Sequence, residues 1–280
     1  MNPPVLDELY EKIEPHTSRD KKIEAAMNLF SEAYPKLSNG VNIDYHTPEA
    51  RFAYVFSYVT AHTSFIRKTI ENCLPVYSKF GNVGSKSLKI TCLGGGPGTD
   101  LLGVLKLMKS DGFKNPMTFY LVDREPAWSD SWSDISDKTD TDGLSLNVNF
   151  IELDVEKKSD WLKTEKYLSA DIFISSFFFS ELTRIKDDAD TFFRLVIDRM
   201  PSGSHFIYID NNSNDFSTRF KKISDECGLT EIPVEVKATT DADEEKTVLG
   251  KYLEKFKDNT GRARLPRLKG NVLIKVFEKD

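Results

Sequence analysis

The sequence predicts an α/β protein, a doubly wound and mostly parallel sheet with a helical segment in front of it. Three observations carry that expectation. From residue 87 onward, apolar runs of strand length alternate with stretches of helical spacing. The first run, residues 87–93, passes through a glycine turn directly into a helix. Successive runs then end in a polar residue, at Asp123, Asp154, Ser176 and Asp210. Open α/β sheets bind ligands there, outside the carboxyl ends of their strands.

Residues 1–86 read as helical. Leu6, Leu9, Tyr10 and Ile13 share a face that Pro15 ends. A second helix opens at Ser18 or Asp20, carries Ile23, Met27, Phe30 and Tyr34 on one side, and stops at Pro35. Asn39-Gly40 is a turn signal. Thr47-Pro48-Glu49 offers a cap and a first-position proline to a third helix, expected to run to about Leu74. That helix carries Phe52, Tyr54, Phe56, Tyr58 and Phe65 on more than one face. It reads as a buried helix or as a lid over a ligand, with Tyr45, His46, Tyr54, Tyr58 or His62 lining a substrate pocket. A lone His62 is first of all a packed histidine. Residues 81–86 are a polar linker, so the chain divides into a helical cap, 1–86, and a sheet domain, 87–280.

Within the sheet domain the expected strands are 87–93, 118–123, 148–153, 170–176, 205–210 and 270–277, with a weaker one at 232–236. Helices are expected at 100–110, 187–199 and 216–227, the last stopped by Gly228. Thr99 or Asp100 can cap the first of these. A short helix near Trp128 and Trp132 leads into a loop reaching Gly143. Residues 239–246 form an acidic loop, and 249–256 a short helix.

With 280 residues, 39% hydrophobic and 29% charged, the composition is that of a soluble globular chain. No apolar run reaches the roughly 18 residues of a membrane span, and the first residues lack the blocks of a signal peptide. A cytoplasmic protein without a membrane partner is expected, a nuclear one not being excluded. Three scattered cysteines argue against a disulfide framework, and four histidines without Cys/His spacing argue against a zinc site. A net charge of −6 leans against an extended nucleic-acid surface.

The turn decides the ligand. Gly94, Gly95, Gly96 and Gly98 surround Pro97. A dinucleotide fingerprint wants G-x-G-x-x-G and a Walker loop wants a following Lys-Ser or Lys-Thr, and neither is present. Gly94-x-Gly96-x-Gly98 after a first strand resembles motif I of the class I S-adenosylmethionine-dependent methyltransferases, and the resemblance extends over about residues 87–279. It implies a seven-stranded sheet whose last strand, about 272–277, runs antiparallel between its neighbours. It implies S-adenosyl-L-methionine as cofactor and S-adenosyl-L-homocysteine as product. Asp123 would hold the ribose hydroxyls. Asp154, with apolar Leu153 and Val155 beside it, would hold the adenine amino group. Ser175 and Ser176 would lie near the methionyl end. Many members carry an acid two residues before the first glycine, where this chain has Cys92, and Asp100 is expected to substitute in part.

Ser175-Ser176-Phe177-Phe178 lacks the prolines of the adenine and glutamine amino-methylating enzymes. Ser176, Glu181 and Asn211 are the substrate-side candidates for catalysis, with Tyr54, Tyr58, His62 and Phe177 beside the substrate. Methyl transfer to nitrogen or oxygen chiefly needs in-line proximity, so an obvious base is not required. Lys251, Lys255, Lys257, Arg262, Arg264, Arg267 and Lys269 form a basic cluster that reads as a solvated face or as a rim for phosphate, carboxylate or RNA. Three readings follow. The first is a methyltransferase acting on nitrogen or oxygen of a small molecule or protein side chain. The second is an RNA base or ribose methyltransferase using residues 251–269. The third is a non-catalytic S-adenosylmethionine sensor or scaffold. The sequence leaves the oligomeric state open.

Overall fold

A computed structural model describes residues 3–81, 86–139, 141, 143–234, 239–241 and 246–280. The N-terminal part forms α1 (Pro3–Glu11), α2 (Arg19–Ala33) and α3 (Pro48–Tyr54), then a π-turn at Val55–Val59, α4 (Thr60–Glu71) and α5 (Leu74–Gly81). Thr47 caps α3 through its hydroxyl, which accepts the Ala50 N–H at 3.3 Å. The third expected helix thus stops short. It widens at Val55–Val59 and ends at Glu71, so Leu74 begins a helix of its own instead of closing this one. Residues 82–85 of the expected linker lie outside the described residues.

The sheet strands are β1 (Leu88–Leu93), β2 (Met117–Asp123), β3 (Leu146–Glu152), β4 (Ile172–Ser176), β5 (His205–Asn211), β6 (Leu229–Ile232), β7 (Thr239–Asp241) and β8 (Lys269–Lys279). Between them run α6 (Thr99–Asp111), α7 (Ala127–Asp137), α8 (Lys186–Arg199) and α9 (Asn214–Glu226). Seven strands lie in the order β3-β2-β1-β4-β5-β8-β6. The first five are parallel, and β8 is inserted antiparallel between β5 and β6. The expected seven-stranded path is therefore present, and an eighth, three-residue strand, β7, pairs with Lys269–Asn271.

Three expectations shift. The strand expected at 232–236 lies at Leu229–Ile232, immediately after Gly228 at φ +68° has ended α9; residues 235 and 236 lie outside the described residues, as do 242–245 of the acidic loop. The short helix expected at 249–256 is a 3-10 turn, Lys246–Tyr252. α6 starts one residue earlier than expected. Its cap is Gly98 at φ +81°, which has no side chain to accept an N–H, instead of Thr99 or Asp100.

Strand alternation splits the core. Ile90, Cys92, Ile172 and Ile174 pack with α4, α5 and α6 on one face. Phe173, Phe206 and Tyr208 pack with α8 and α9 on the other. The second cluster continues without a break into α1, α2 and α3, so the N-terminal helices share the core of the sheet.

Candidate active site

The carboxyl ends of β1 to β4 open into one cleft. Gly94 and Gly96 line it from the turn after β1, and Asp123 and Arg124 line it after β2. Leu153, Asp154 and Val155 follow from β3, and Ser176, Phe177, Phe178 and Glu181 from β4. Asn42, Tyr45 and Tyr54 close it from the N-terminal part, and Trp128 from α7.

Gly94, Gly96 and Gly98 all hold positive φ, at +67°, +46° and +81°, a region costly for any side chain. Space differs along the turn. A Cβ on Gly94 would lie 2.4 Å from the Phe178 ring, and one on Gly98 2.5 Å from the Trp132 ring. One on Gly95 would press on the Leu121 backbone at 3.1 Å. Only at Gly96 is there room, the nearest atoms standing 3.9 Å away. Gly95 and Gly98 thus serve the packing beneath the turn. The amides are also engaged: Gly95 N–H donates to the Val122 carbonyl (3.0 Å), Gly96 N–H to Asp123 Oδ2 (3.0 Å) and Gly98 N–H to the Gly95 carbonyl (2.9 Å).

The cleft is acidic and desolvated. Asp123 accepts Gly96 N–H on one oxygen and Glu125 N–H on the other, at 3.0 Å each. Burial nevertheless lifts its carboxyl to about 6. Glu181 stands in the 3-10 turn Ser180–Ile185 and accepts the Tyr45 hydroxyl at 2.8 Å, while Tyr45 and Tyr34 hydroxyls pair at 2.9 Å. Burial lifts Glu181 to about 8. Asp100, expected to reach the cofactor, does not line the cleft: it is 2% exposed in the first turn of α6, and burial raises it to about 8 against the pull of the Ser176 hydroxyl. The Tyr54 hydroxyl is held well above its ordinary range, first by burial and then by the charges of Glu181, Asp100 and Asp123. No buried cation answers these acids among the lining residues. Arg124, exposed at the rim, donates to Asn42 Oδ1 (2.8 Å) and the Ile43 carbonyl (2.9 Å), and its charge offsets only part of the effect of burial on Asp123 and Glu181.

Asp154 keeps one oxygen on the Glu156 N–H at 3.0 Å and the other 3.6 Å from Lys157 Nζ, with Leu153 and Val155 buried beside it. Ser175 and Ser176 are separated by the alternation of β4. Ser176 reaches the cleft, whereas Ser175 is fully buried in the sheet with an unpartnered hydroxyl.

Tyr58, His62 and Asn211 do not line this cleft. They line a second cavity, with Tyr34, Phe65, Arg267 and Lys269. Phe177 is the wall common to both. It sits at φ +57°, unusual for a bulky residue. Its N–H donates to the Ile209 carbonyl at 2.7 Å, and its ring stacks on His62 at 3.9 Å and 12°. His62 is 8% exposed, its Nδ1 has no partner, and burial followed by the Arg267 charge pushes it down to about 3. It is a neutral, packed histidine. Asn211 Nδ2 is directed to Ser180 Oγ (3.2 Å) and Asp210 Oδ1 (3.3 Å).

Much of the basic cluster is spent inside the chain. Lys251 pairs with Asp7 at 2.8 Å and Lys255 with Asp20 at 3.2 Å. Lys257 Nζ donates to the Glu254 carbonyl, and Arg264 bonds Ser31 and Asn28. Sequence reasoning missed Asn42, Arg124, Trp128 and Phe178 as cleft residues. For Phe178 a signal existed, an aromatic run directly after a strand end. For Asn42 none did, because its approach depends on how the N-terminal helices dock.

No protein-family model matches the chain, and no curated protein matches it. Solved structures similar to it include an O-methyltransferase family protein from Burkholderia thailandensis, at 12% identity and TM-score 0.45, covering 92% of this chain and 71% of that one. A precorrin-6y C5,15-methyltransferase from Geobacter metallireducens is similar at 14% identity and TM-score 0.42, covering 78% and 87%. A putative RNA methyltransferase from Pyrococcus horikoshii is similar at 16% identity and TM-score 0.42, covering 89% and 95%. The decisive feature is internal: five parallel strands in the order β3-β2-β1-β4-β5, with the last strand of the chain set antiparallel between β5 and β6. The chain has the class I methyltransferase fold.

Proposed function

We propose that this protein is an S-adenosyl-L-methionine-dependent methyltransferase that methylates nitrogen or oxygen of a small molecule. One observation carries the reading: the cleft is lined by desolvated acids around a glycine turn whose amides at Gly95, Gly96 and Gly98 are already donated. A dinucleotide needs free amides for its phosphates. An acidic cleft with spent amides favours a ligand that is a nucleoside at one end and a cation at the other. The residues fit such a ligand. Asp123 would hold ribose, Asp154 with Leu153 and Val155 would hold adenine, and Gly94 and Gly96 would border the methionyl part. When bound, the cofactor supplies an electrophilic methyl group on a positively charged sulfur. Glu181 and Asp100, charged in its presence, would balance that positive end. Tyr45 and Tyr54 would keep water from it.

The intramolecular pairing of Lys251, Lys255, Lys257 and Arg264 leaves few cations for a polynucleotide track, which supports a small acceptor over RNA. The test is calorimetric titration of the protein with S-adenosylmethionine, S-adenosylhomocysteine and NAD. Micromolar binding of the first two and none of NAD is expected. Silence from all three removes the reading. Tight binding without turnover on metabolite extracts replaces it with a cofactor sensor.

A further inference from the structure

The second cavity is of the opposite polarity to the first. Its walls are the rings of Tyr34, Tyr58, His62, Phe65 and Phe177, with centroids 5.0 Å apart for Tyr34–Tyr58 and 5.7 Å for Tyr58–His62. The Arg267 guanidinium stands at its edge, 5.5 Å over the Tyr58 ring. Among the described residues no carboxylate pairs with that guanidinium, in a chain of net charge −6. The position of Arg267 is fixed by the fold. Its backbone N–H donates to the Ser57 carbonyl at 2.9 Å, within the π-turn of the aromatic helix. π-Turns are frequent at functional sites.

Flat aromatic walls recognise a planar ring. An unpaired guanidinium recognises a carboxylate or phosphate with its fork of donors. We propose that the second cavity is an acceptor pocket for a planar aromatic acid, a ring bearing one anionic group that pairs with Arg267. Its role as methyl acceptor rests on the methyltransferase reading, while its binding does not. The two cavities share the Phe177 wall, so methyl transfer requires that ring to swing aside and let the acceptor atom reach the sulfonium methyl in line at about 3–3.5 Å.

The test is equilibrium binding to the full chain of benzoate, 4-hydroxybenzoate, indole-3-acetate and phenyl phosphate, with phenol, cyclohexanecarboxylate and inorganic phosphate as controls. Each is titrated alone and with saturating S-adenosylhomocysteine. At least one aromatic acid is expected to bind below about 1 mM. Arg267→Gln should weaken it about 10- to 100-fold, with Arg267→Lys between the two. Phenol should bind weakly and alike to all three proteins. Arg267 is an exposed side chain, so far-UV circular dichroism of the variants should match the wild type. Carboxylate against phosphate is decided by benzoate against phenyl phosphate. The proposal is overturned if no aromatic acid binds, if Arg267→Gln leaves affinity unchanged, if inorganic phosphate competes as well as the ring acids, or if a short oligoribonucleotide binds through Arg267 in preference to them. Homocysteine-cofactor binding without acid binding overturns the pocket alone. Acid binding without cofactor binding overturns the methyltransferase reading and leaves the pocket standing.

Discussion

Asp123 shows how one side chain serves structure and ligand together. Its two oxygens accept the N–H groups of Gly96 and Glu125, so it fixes the glycine turn before any ligand arrives. Asp123→Ala should weaken cofactor binding by about 1–3 kcal/mol through the lost hydrogen bonds; unchanged affinity by calorimetry takes Asp123 out of the site. Glu181 makes a different prediction. Its folded value, about 8, lies above the ordinary 4.5. Between those values the folded chain holds a proton that the unfolded chain has lost, so stability falls as pH rises through that window. Glu181→Gln cannot ionise and should escape that loss. Measured by urea unfolding, the variant should gain about 1–3 kcal/mol on the wild type between about pH 5 and pH 9. Parallel pH profiles would mean that Glu181 is solvated.

At the scale of elements, the glycine turn and α6 form one unit clamped by rings from other elements. Gly98 and Gly112 bound the helix with similar φ, +81° and +71°. A Cβ on Gly112 meets nothing within 4 Å, whereas one on Gly98 runs into Trp132 of α7. Gly112→Ala should therefore cost about 1 kcal/mol, the backbone strain alone. Gly98→Ala should cost about 2–4 kcal/mol, since Trp132 must also move. Urea midpoints of the pair separate conformational strain from packing, and equal losses would show that Trp132 yields freely. The π-turn between α3 and α4 is a second such unit. It carries the Ser57 carbonyl that docks Arg267, which connects the aromatic helix to the strand-forming C-terminal segment.

For the whole molecule, charge is sorted by cavity. Asp123 and Glu181, acids with raised values, line the cleft, Asp100 is buried at the head of α6, and Arg267 lines the cavity beyond Phe177. A cation entering the cleft stabilises the charged forms of Glu181, Asp100 and Asp123. Binding should then release protons between about pH 6 and pH 8, and affinity for the cationic cofactor should rise with pH across that interval. Calorimetric enthalpies in buffers of different ionisation enthalpy count those protons. No release would place the acids away from the ligand. The N-terminal helices belong to this arrangement. Asn42, Tyr45 and Tyr54 border the cleft, and Tyr34 borders the second cavity. The Tyr34–Tyr45–Glu181 hydroxyl chain runs from one toward the other.

The sequence by itself determined the alternation of strands and helices, the glycine turn, and the acids after β2 and β3. These depend on local periodicity and on turn chemistry, which a few neighbouring residues dictate. It also placed Gly94, Gly96, Asp123, Asp154, Val155, Ser176 and Glu181 on one side of the sheet, because strand ends converge there in any doubly wound fold. Tertiary structure alone decided the rest. It sent Tyr58, His62 and Asn211 to a second cavity, since a side chain's face depends on helix docking and on the π-turn. It turned Ser175 into the sheet by the pleat of β4. It spent three of the seven basic residues, Lys251, Lys255 and Arg264, on Asp7, Asp20, Ser31 and Asn28, residues more than 200 positions away along the chain. Those pairings arise from long-range packing, and no spacing within the cluster encodes them.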